Sequence, residues 1–349
     1  MAPARGKYDS LLVTHLPNVR YLTGYKGSSG CALITPRRRY FFTDFRYREQ
    51  ARREVRDFDV RITPGPALDG CCRYISARRL KTGTIGYDGA HLTLRQHQLM
   101  KKLLKGMSFA DAAGAVEKMR EVKTRSEILK MRRACMIADA AYKRLVRSRV
   151  VGRTEKEVAW RLESAMRNHG SGPMPFEIIV VSGPRSAMPH GAAGERVIRE
   201  GELVVIDMGA SVDGYCSDVT RTFATGPLPS KLAEIYRTVQ EAQHRAFEGT
   251  IAGAAAAGVD ALARDYIDAA GYGAAFGHSL GHGVGLEGHE GPVLSRGSKA
   301  VLEPGMVVTV EPGIYLEGLG GVRIEDTVLV TAGGPEALTK FPRALHELA

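Results

Sequence analysis

The sequence predicts an α+β protein of two domains, and three observations support this prediction. Its 349 residues are enough for two or three domains with their own hydrophobic cores. Hydrophobic residues make up 44% and charged residues 25%, which is typical of a globular chain rather than a disordered one. Short strands and amphipathic helices follow one another, and two acid-bearing hairpins lie in the second part. We place the domains at residues 1–118 and 119–349.

The composition excludes several classes of function. The net charge of +11 is uneven, since residues 1–150 carry 32 Lys and Arg against 13 Asp and Glu. The basic residues are scattered without a nucleic-acid motif or interleaved aromatic residues, so we predict no nucleic-acid partner. No apolar run approaches the ~20 residues of a membrane span, and no signal peptide precedes the first strand. Five cysteines without metal-type spacing favour a reducing, cytoplasmic location.

The first domain is predicted to be a small α/β domain. The apolar patterns predict its strands at residues 10–14, 31–34, 40–43 and 84–87. Helical spacing is found at residues 46–55 and 94–104. This half carries no catalytic constellation, so we predict that it serves as a lid or as a dimerisation module.

The second domain begins with a helix signature. Thr124 and Glu127 have the spacing of a capping box, and apolar residues then recur every three or four positions up to residue 145. Further helices are predicted at residues 156–168, 230–248 and 259–270. A strand at residues 176–181 leads into a loop that contains His190. An isolated loop histidine lies on the surface in most proteins.

The first acid-bearing hairpin covers residues 204–222. Asp is depleted in strands, so Asp207 and Asp218 need a reason to be there. If residues 211–214 form a four-residue loop, the two aspartates lie directly opposite each other. Two carboxylates at that distance repel unless they share a proton or a cation.

A second hairpin repeats the arrangement. A turn centred near Gly318 brings Glu311 opposite Glu325 on one face of an apolar strand pair. The glycine-rich segment between the hairpins adds three histidines: His278, His282 and His289. Four carboxylates and an imidazole suit Mn, Co, Zn or Fe, and exceed what one ion needs. The pattern therefore predicts a two-metal centre.

These motifs resemble those of the pita-bread metallopeptidases, in the branch of Xaa-Pro aminopeptidase (aminopeptidase P) and prolidase. The resemblance rests on Asp207, the run YCSDVTRT at 215–222, HSLGH at 278–282, HE at 289–290, EPGIY at 311–315 and GVRIED at 321–326. It is strongest over residues 120–349. It implies a small α/β N-terminal domain followed by a pita-bread catalytic domain. In the family that first domain opens with a helix, whereas here only residues 1–9 precede the first strand.

The resemblance also implies roles for the site residues. Two divalent metal ions, Mn²⁺ first and Co²⁺ or Zn²⁺ as alternatives, would be bound by five residues: Asp207, Asp218, His282, Glu311 and Glu325. Glu311 would also be the general base. His278 and His289 would stabilise the reacting carbonyl oxygen and bind substrate. His190 would contact the substrate, and Arg323 would help to bind it or hold a ligand carboxylate.

Two peptidase activities remain open at this point. Glu311 and Glu325 are only 14 positions apart, as in the proline-directed branch. An aminopeptidase P releases Xaa from Xaa-Pro peptides, whereas a prolidase cleaves the Xaa-Pro dipeptide and needs a cation for the free carboxylate. Some prolidases have Arg after the His-Glu-x-Pro motif, where this chain has Val293, although Arg296 is close. We therefore expect an Xaa-Pro aminopeptidase that acts on proline-containing peptides.

The remaining alternative is a non-catalytic, peptide-binding member of the family. Such relatives lose metal ligands, and all five are present in this sequence. The family resemblance also implies a homodimer.

Overall fold

The structure is a computed structural model that describes residues 7–80 and 82–349. The chain divides after Arg120 into an N-terminal unit and a catalytic unit, each with its own hydrophobic clusters. Part of the predicted opening segment, residues 1–6, lies outside the described residues.

The N-terminal unit is built around a six-stranded mixed sheet in the order β4-β3-β2-β1-β5-β6. Its strands are β1 (Ser10–Val13), β2 (Cys31–Ile34), β3 (Arg39–Asp44), β4 (Asp59–Thr63), β5 (Ile85–Tyr87) and β6 (Phe109–Asp111). Its helices are α1 (Leu16–Thr23), α2 (Arg48–Glu54), α3 (Ala67–Ala77) and α4 (Leu94–Leu103), and α5 (Glu117–Glu121) contains the point of division. Strands β1, β5 and β6 run parallel to one another.

Every strand predicted for this unit is present, but five elements were missed: α1, β4, α3, β6 and α5. Helix α3 contains Gly70, which sequence rules treat as a helix breaker. A Cβ at that position would lie 2.1 Å from Thr63 Cγ2, so the glycine permits close packing of the helix on β4. Strand β6 has three residues and no fully buried one, which leaves no periodic pattern to recognise.

The catalytic unit contains four long helices and four sheets. The helices are α6 (Arg125–Leu145), α7 (Glu155–Asn168), α8 (Ser230–Gly249) and α9 (Ala256–Ala269). The first strands are β7 (Ile179–Ser182), β8 (Leu203–Met208), β9 (Ser211–Val212), β10 (Tyr215–Cys216) and β11 (Val219–Ala224). The later ones are β12 (Gly281–Gly283), β13 (Glu290–Leu294), β14 (Val307–Val310), β15 (Gly313–Leu316), β16 (Gly320–Arg323), β17 (Asp326–Thr331) and β18 (Gly334–Ala337).

Each acid-bearing hairpin packs against helices. Strands β11, β8 and β7 form a three-stranded sheet in one cluster with α6 and α7, and β14 and β17 pack with α8 and α9 in another. The predicted capping box at Thr124 and Glu127 starts α6. Further along this helix, the Tyr142 hydroxyl lies 2.7 Å from Ile206 O and 3.1 Å from Val219 O. This buried contact fixes the first hairpin against the helix.

None of the helices in the ranges 7–80 and 82–349 is long and apolar enough to cross a membrane.

The predicted register of the first hairpin is wrong by two residues. Asp207 pairs with Thr220, and Val212 pairs with Tyr215, so the loop consists of Asp213 and Gly214 alone. Both loop residues have positive φ, 47° and 74°, as a two-residue hairpin turn requires. A shift of two residues keeps every side chain on its face, so Asp218 still points toward the side of Asp207.

The second hairpin has the predicted register. Val310 pairs with Asp326 and Gly313 with Arg323, so Glu311 and Glu325 fall opposite each other between two paired segments. The pairing of Leu316 with Gly320 centres the turn on Gly318.

Candidate active site

One cavity of about 660 Å³ in the catalytic unit is lined by all the predicted site residues. They are Asp207, Asp218, His278, His282, His289, Glu311, Glu325, His190 and Arg323. The first hairpin contributes its two aspartates, the second its two glutamates and Arg323, and β12 contributes His282. The sheets therefore bring together side chains that are spread over more than 100 positions of the sequence.

His282 is oriented with one ring nitrogen toward the acids. Its Nδ1 donates to Gly283 O at 3.0 Å, and its Nε2 lies 3.2 Å from Glu311 Oε1 and 3.7 Å from Asp218 Oδ2. The flanking Gly281 permits this placement, since a Cβ there would lie 2.0 Å from Thr309 O. Nε2 is thus aimed into the carboxylate cluster, and in the neutral tautomer it would present its lone pair to a metal ion there.

In two carboxylates of the cluster, one oxygen accepts a hydrogen bond and the other does not. Arg323 Nη2 donates to Asp207 Oδ2 at 2.7 Å, and Thr220 Oγ1 donates to Glu325 Oε2 at 2.6 Å. The other oxygens, Asp207 Oδ1 and Glu325 Oε1, are buried and accept no hydrogen bond from any described residue. Buried carboxylate oxygens normally have a partner. Orphaned oxygens beside an imidazole lone pair therefore fit the binding of metal ions.

The electrostatics of the cluster support the same fit. Burial, and then the neighbouring Glu325, Asp207 and Glu311, raise the pKa of Asp218 well above its usual value. Burial, Glu311 and Asp207 do the same to Glu325. Burial also acts on Glu311, but the hydrogen bond and charge of His282 outweigh it and lower its pKa to about 2. So many buried carboxylates stay ionised together only if cations neutralise them.

Tyr315 was not predicted as a site residue, yet it joins two that were. Its hydroxyl accepts from Arg323 Nη1 at 2.9 Å and lies 3.0 Å from His278 Nε2. Because the arginine can only donate, the tyrosine hydrogen is directed to the imidazole. The other nitrogen of His278 lies 2.8 Å from Ser279 O, so both nitrogens of this ring are engaged by protein groups.

His289 and His190 face the cavity without such partners. The His289 ring stacks on that of His282, with centroids 3.8 Å apart, and neither it nor His190 forms a hydrogen bond to the described residues. Behind His289, the buried Lys123 Nζ lies 2.8 Å from Glu290 Oε1. This ion pair anchors the segment that carries the exposed imidazole.

Sequence reasoning missed the residues that orient the ligands. Thr220 lies two positions after Asp218, and Thr309 lies two positions before Glu311 and donates to it at 2.9 Å. Strand periodicity places Thr309 on the same face as Glu311, so the alternation alone could have identified it. Thr220 shares its face with Asp218 but donates to Glu325 of the other hairpin, a contact that the alternation does not show. No sequence pattern indicates the partnership of Lys123 with Glu290.

Comparisons with known proteins identify the family. The model of metallopeptidase family M24 matches residues 129–332, and that of the Creatinase/Prolidase N-terminal domain matches residues 3–122. The chain belongs to metallopeptidase family M24. The predicted resemblance and the predicted fold class are therefore confirmed: an N-terminal creatinase-type domain is followed by a pita-bread catalytic domain.

Its relatives carry two kinds of name. An Xaa-Pro dipeptidase of Pyrococcus furiosus is 44% identical over 76% of this chain and 76% of its own length. The structure of an Xaa-Pro dipeptidase from Bacillus anthracis superposes with a TM-score of 0.94 at 44% identity, covering 98% of this chain and 95% of that one. The structure of an X-Pro aminopeptidase from Thermotoga maritima gives 0.89 at 38% identity, covering 98% of both chains.

Proposed function

We propose that this protein is an Xaa-Pro aminopeptidase, which cleaves the bond before proline at the N-terminus of peptides. The proposal includes two divalent ions bound by five residues: Asp207, Asp218, His282, Glu311 and Glu325. The observation that carries it is the convergence of these side chains on one cavity, with two buried carboxylate oxygens that lack a partner. Relatives named for Xaa-Pro cleavage support the substrate class.

The bound ions would lower the pKa of a water molecule and polarise the scissile carbonyl. Glu311, oriented by Thr309, takes up the proton of that water and passes it to the leaving nitrogen of proline. His289, whose ring faces the cavity, donates to the carbonyl oxygen as negative charge develops there. His278 has the same role in our proposal, for which its Nε2 would exchange the Tyr315 hydroxyl for the substrate oxygen and carry the proton.

The preference for peptides over dipeptides rests on Arg323. A dipeptide brings the free carboxylate of proline into the cavity, where a guanidinium would be the natural partner. Arg323 is the only Arg or Lys among the described residues that line the cavity. It already donates to four protein groups: Asp207, Tyr315, Pro189 O and Thr220. Arg296 does not line this cavity, and Val293, which does, offers no charge.

Xaa-Pro dipeptidase is the second candidate, because relatives at 44% identity bear that name. In that case the imidazoles of His190 or His289 would pair with the proline carboxylate, since both reach the cavity.

Substrate length tests the proposal. We expect kcat/KM for a tripeptide Xaa-Pro-Xaa to exceed that for the matching Xaa-Pro dipeptide about ten-fold or more, a difference of ~1.4 kcal/mol. Xaa-Ala-Xaa should be cleaved poorly, because the ring of proline fits the apolar wall that includes Phe176 and Ile179. A dipeptide preference would select the second candidate, and equal cleavage of Xaa-Ala-Xaa would contradict proline specificity.

A substitution at Val293 makes the test sharper. Val293→Arg adds a guanidinium to the cavity lining and should raise dipeptide cleavage relative to tripeptide cleavage. The matched control is Val301→Arg, since Val301 is similarly exposed but does not line the cavity. If both variants keep the ratio of the unaltered protein, Val293 does not decide the preference.

Three finer assignments are also part of the proposal: Mn²⁺ as the native ion, a homodimeric assembly and a cytoplasmic location. Metal analysis of protein purified without added metal and light scattering of the same sample test the first two.

A further inference from the structure

The N-terminal unit gathers four metal-ligating side chains at one edge of its sheet. Strands β1, β5 and β6 are adjacent and parallel, so their carboxyl ends lie at the same edge. His15 follows β1, Asp88 and His91 follow β5, and Glu117 follows β6. The carboxyl edge of a parallel sheet is where open α/β folds commonly bind ligands. We call these four residues the edge cluster.

The imidazoles of the edge cluster lie close to its carboxylates without forming hydrogen bonds to them. His91 Nε2 lies 3.6 Å from Glu117 Oε1 and 3.9 Å from Asp88 Oδ2, and His15 Nδ1 lies 4.0 Å from Glu117 Oε1. These separations are too long for hydrogen bonds. Two ligands that are each ~2.1 Å from a tetrahedral ion lie about 3.4 Å apart, and up to ~4.2 Å when the angle at the ion opens. One ligand atom from each of the four residues lies within 4.8 Å of all the others.

Asp88 supplies an independent indication of a ligand. The residue is only 5% exposed, and its Oδ1 accepts from Ala90 N at 3.1 Å. Its Oδ2 is buried and accepts no hydrogen bond from a donor group of the described residues, while the carboxyl group of Glu117 lies within hydrogen-bonding reach of Asp88. Burial and the neighbouring Glu117 carboxylate raise the pKa of Asp88. Two acids placed this way share either a proton or a cation.

Glu117 is fixed for its part by a hydrogen-bond chain. Asn18 donates its amide to Glu117 Oε1, and Arg120 Nη1 donates to Asn18 Oδ1 at 2.7 Å. This chain orients the carboxylate of Glu117.

The two imidazoles define how an ion would enter. The rings of His15 and His91 stack with centroids 3.5 Å apart and planes 4° from parallel. An imidazole lone pair lies in the plane of its ring, and one ion cannot lie in two parallel planes. Ion binding therefore turns one ring, and the His91 side chain, 36% exposed, has the freedom to turn.

We propose that the edge cluster binds one divalent ion of the zinc type, independently of the catalytic cavity. Two imidazoles and two carboxylates suit Zn²⁺, Co²⁺ or Ni²⁺ rather than Mg²⁺ or Ca²⁺, which prefer oxygen ligands alone. The ion would connect three chain segments that follow separate strands of the sheet. It would therefore stabilise the folded N-terminal unit.

The number of ions per chain tests this site. We would strip the full-length protein with a chelator, restore it with Zn²⁺, remove loose metal by gel filtration and count zinc by mass spectrometry. The expected content is three ions per chain in the unaltered protein and two in each of His91→Ala and Asp88→Asn. His244→Ala is the control, since its exposed imidazole also faces a glutamate at 4.0 Å, and should retain three.

Equal zinc contents in the unaltered protein and in folded His91→Ala would overturn the proposal, whatever the number of ions in the catalytic cavity. Equal contents of three would place the third ion elsewhere, and equal contents of two would mean that Asp88 and Glu117 share a proton. If Asp88→Asn fails to fold, His91→Ala decides alone, because His91 is exposed and its loss removes little packing. Neither result bears on the peptidase proposal, since no residue of the edge cluster belongs to the catalytic cavity.

Discussion

The catalytic cluster consists of the five proposed metal ligands: Asp207, Asp218, His282, Glu311 and Glu325. It combines the same side-chain types as the edge cluster, but the two clusters lie on different kinds of secondary structure. In the catalytic unit, Asp207 lies on β8, and the other acids lie at the ends of hairpin strands. Threonines and an arginine of the two hairpins orient these acids. Two of these bonds run from one hairpin to the other: Thr220 donates to Glu325, and Arg323 donates to Asp207. In the edge cluster, the side chains follow three strands in loops or helix starts, and His91 is largely exposed. The comparison indicates that hairpins preorganise a site, whereas loop ends leave a ring free to turn.

The two clusters also differ in composition, which predicts different chemistry. The catalytic cluster has four carboxylates for one imidazole, enough negative charge for two ions and a general base. The edge cluster has two of each, so it suits a single structural ion. The predictions below test this division of roles.

The largest expected effect is that of Glu311→Gln. Removing the general base should lower kcat for Xaa-Pro-Xaa by ~10²–10⁴-fold. The control is Glu317→Gln, an exposed glutamate in the turn of the same hairpin. Equal kcat values in the two variants would contradict the assignment of Glu311 as the general base.

Loss of an imidazole from the cavity should come next. We expect His289→Ala and His278→Ala to retain their metal ions and to lose ~10²-fold in kcat. His244→Ala, a surface substitution on α8, should behave like the unaltered protein. Steady-state kinetics with parallel metal counts check this, and unaltered rates in both cavity variants would refute the assignment.

A stability effect should follow at the buried ion pair behind His289. Lys123→Met leaves the Glu290 side chain, 5% exposed, without its ammonium partner and should lower the free energy of unfolding by ~3 kcal/mol. Lys231→Met breaks a surface pair, Lys231 with Glu234 at 3.4 Å, and should cost about 0–1 kcal/mol. Denaturant unfolding of both variants measures the difference. Similar decreases in the free energy of unfolding would mean that the buried pair stabilises the protein no more than the surface pair.

The smallest effect should come from the edge cluster. His91→Ala should leave kcat/KM for Xaa-Pro-Xaa within about two-fold, because no step of the proposed reaction uses this residue. A ten-fold loss, with the catalytic ions retained, would contradict the separation of roles.

The sequence could bring the proposed site residues together because several of them conflict with their local context. An aspartate within a β-branched run, such as Asp207, needs a partner, and the period of two assigns its face even when the register is wrong. The predicted register is wrong because the hairpin has a two-residue turn at Asp213 and Gly214 rather than the four-residue loop expected from the sequence. The edge cluster could not be predicted, since it depends on β5 lying between β1 and β6, and this order is not encoded in any local pattern. Tyr315 was missed for a similar reason, because its role comes from bonds to Arg323 and His278 in other segments.

The metal content of Asp218→Ala tests the central claim most directly. Asp218 is 3% exposed, and its Oδ2 lies 3.7 Å from His282 Nε2, within the catalytic cluster. If the cluster binds two ions that act in hydrolysis, the folded variant should lose at least one ion per chain relative to the unaltered protein. It should also lose metal-dependent cleavage of Xaa-Pro-Xaa. A variant with undiminished metal content and undiminished activity would contradict the account.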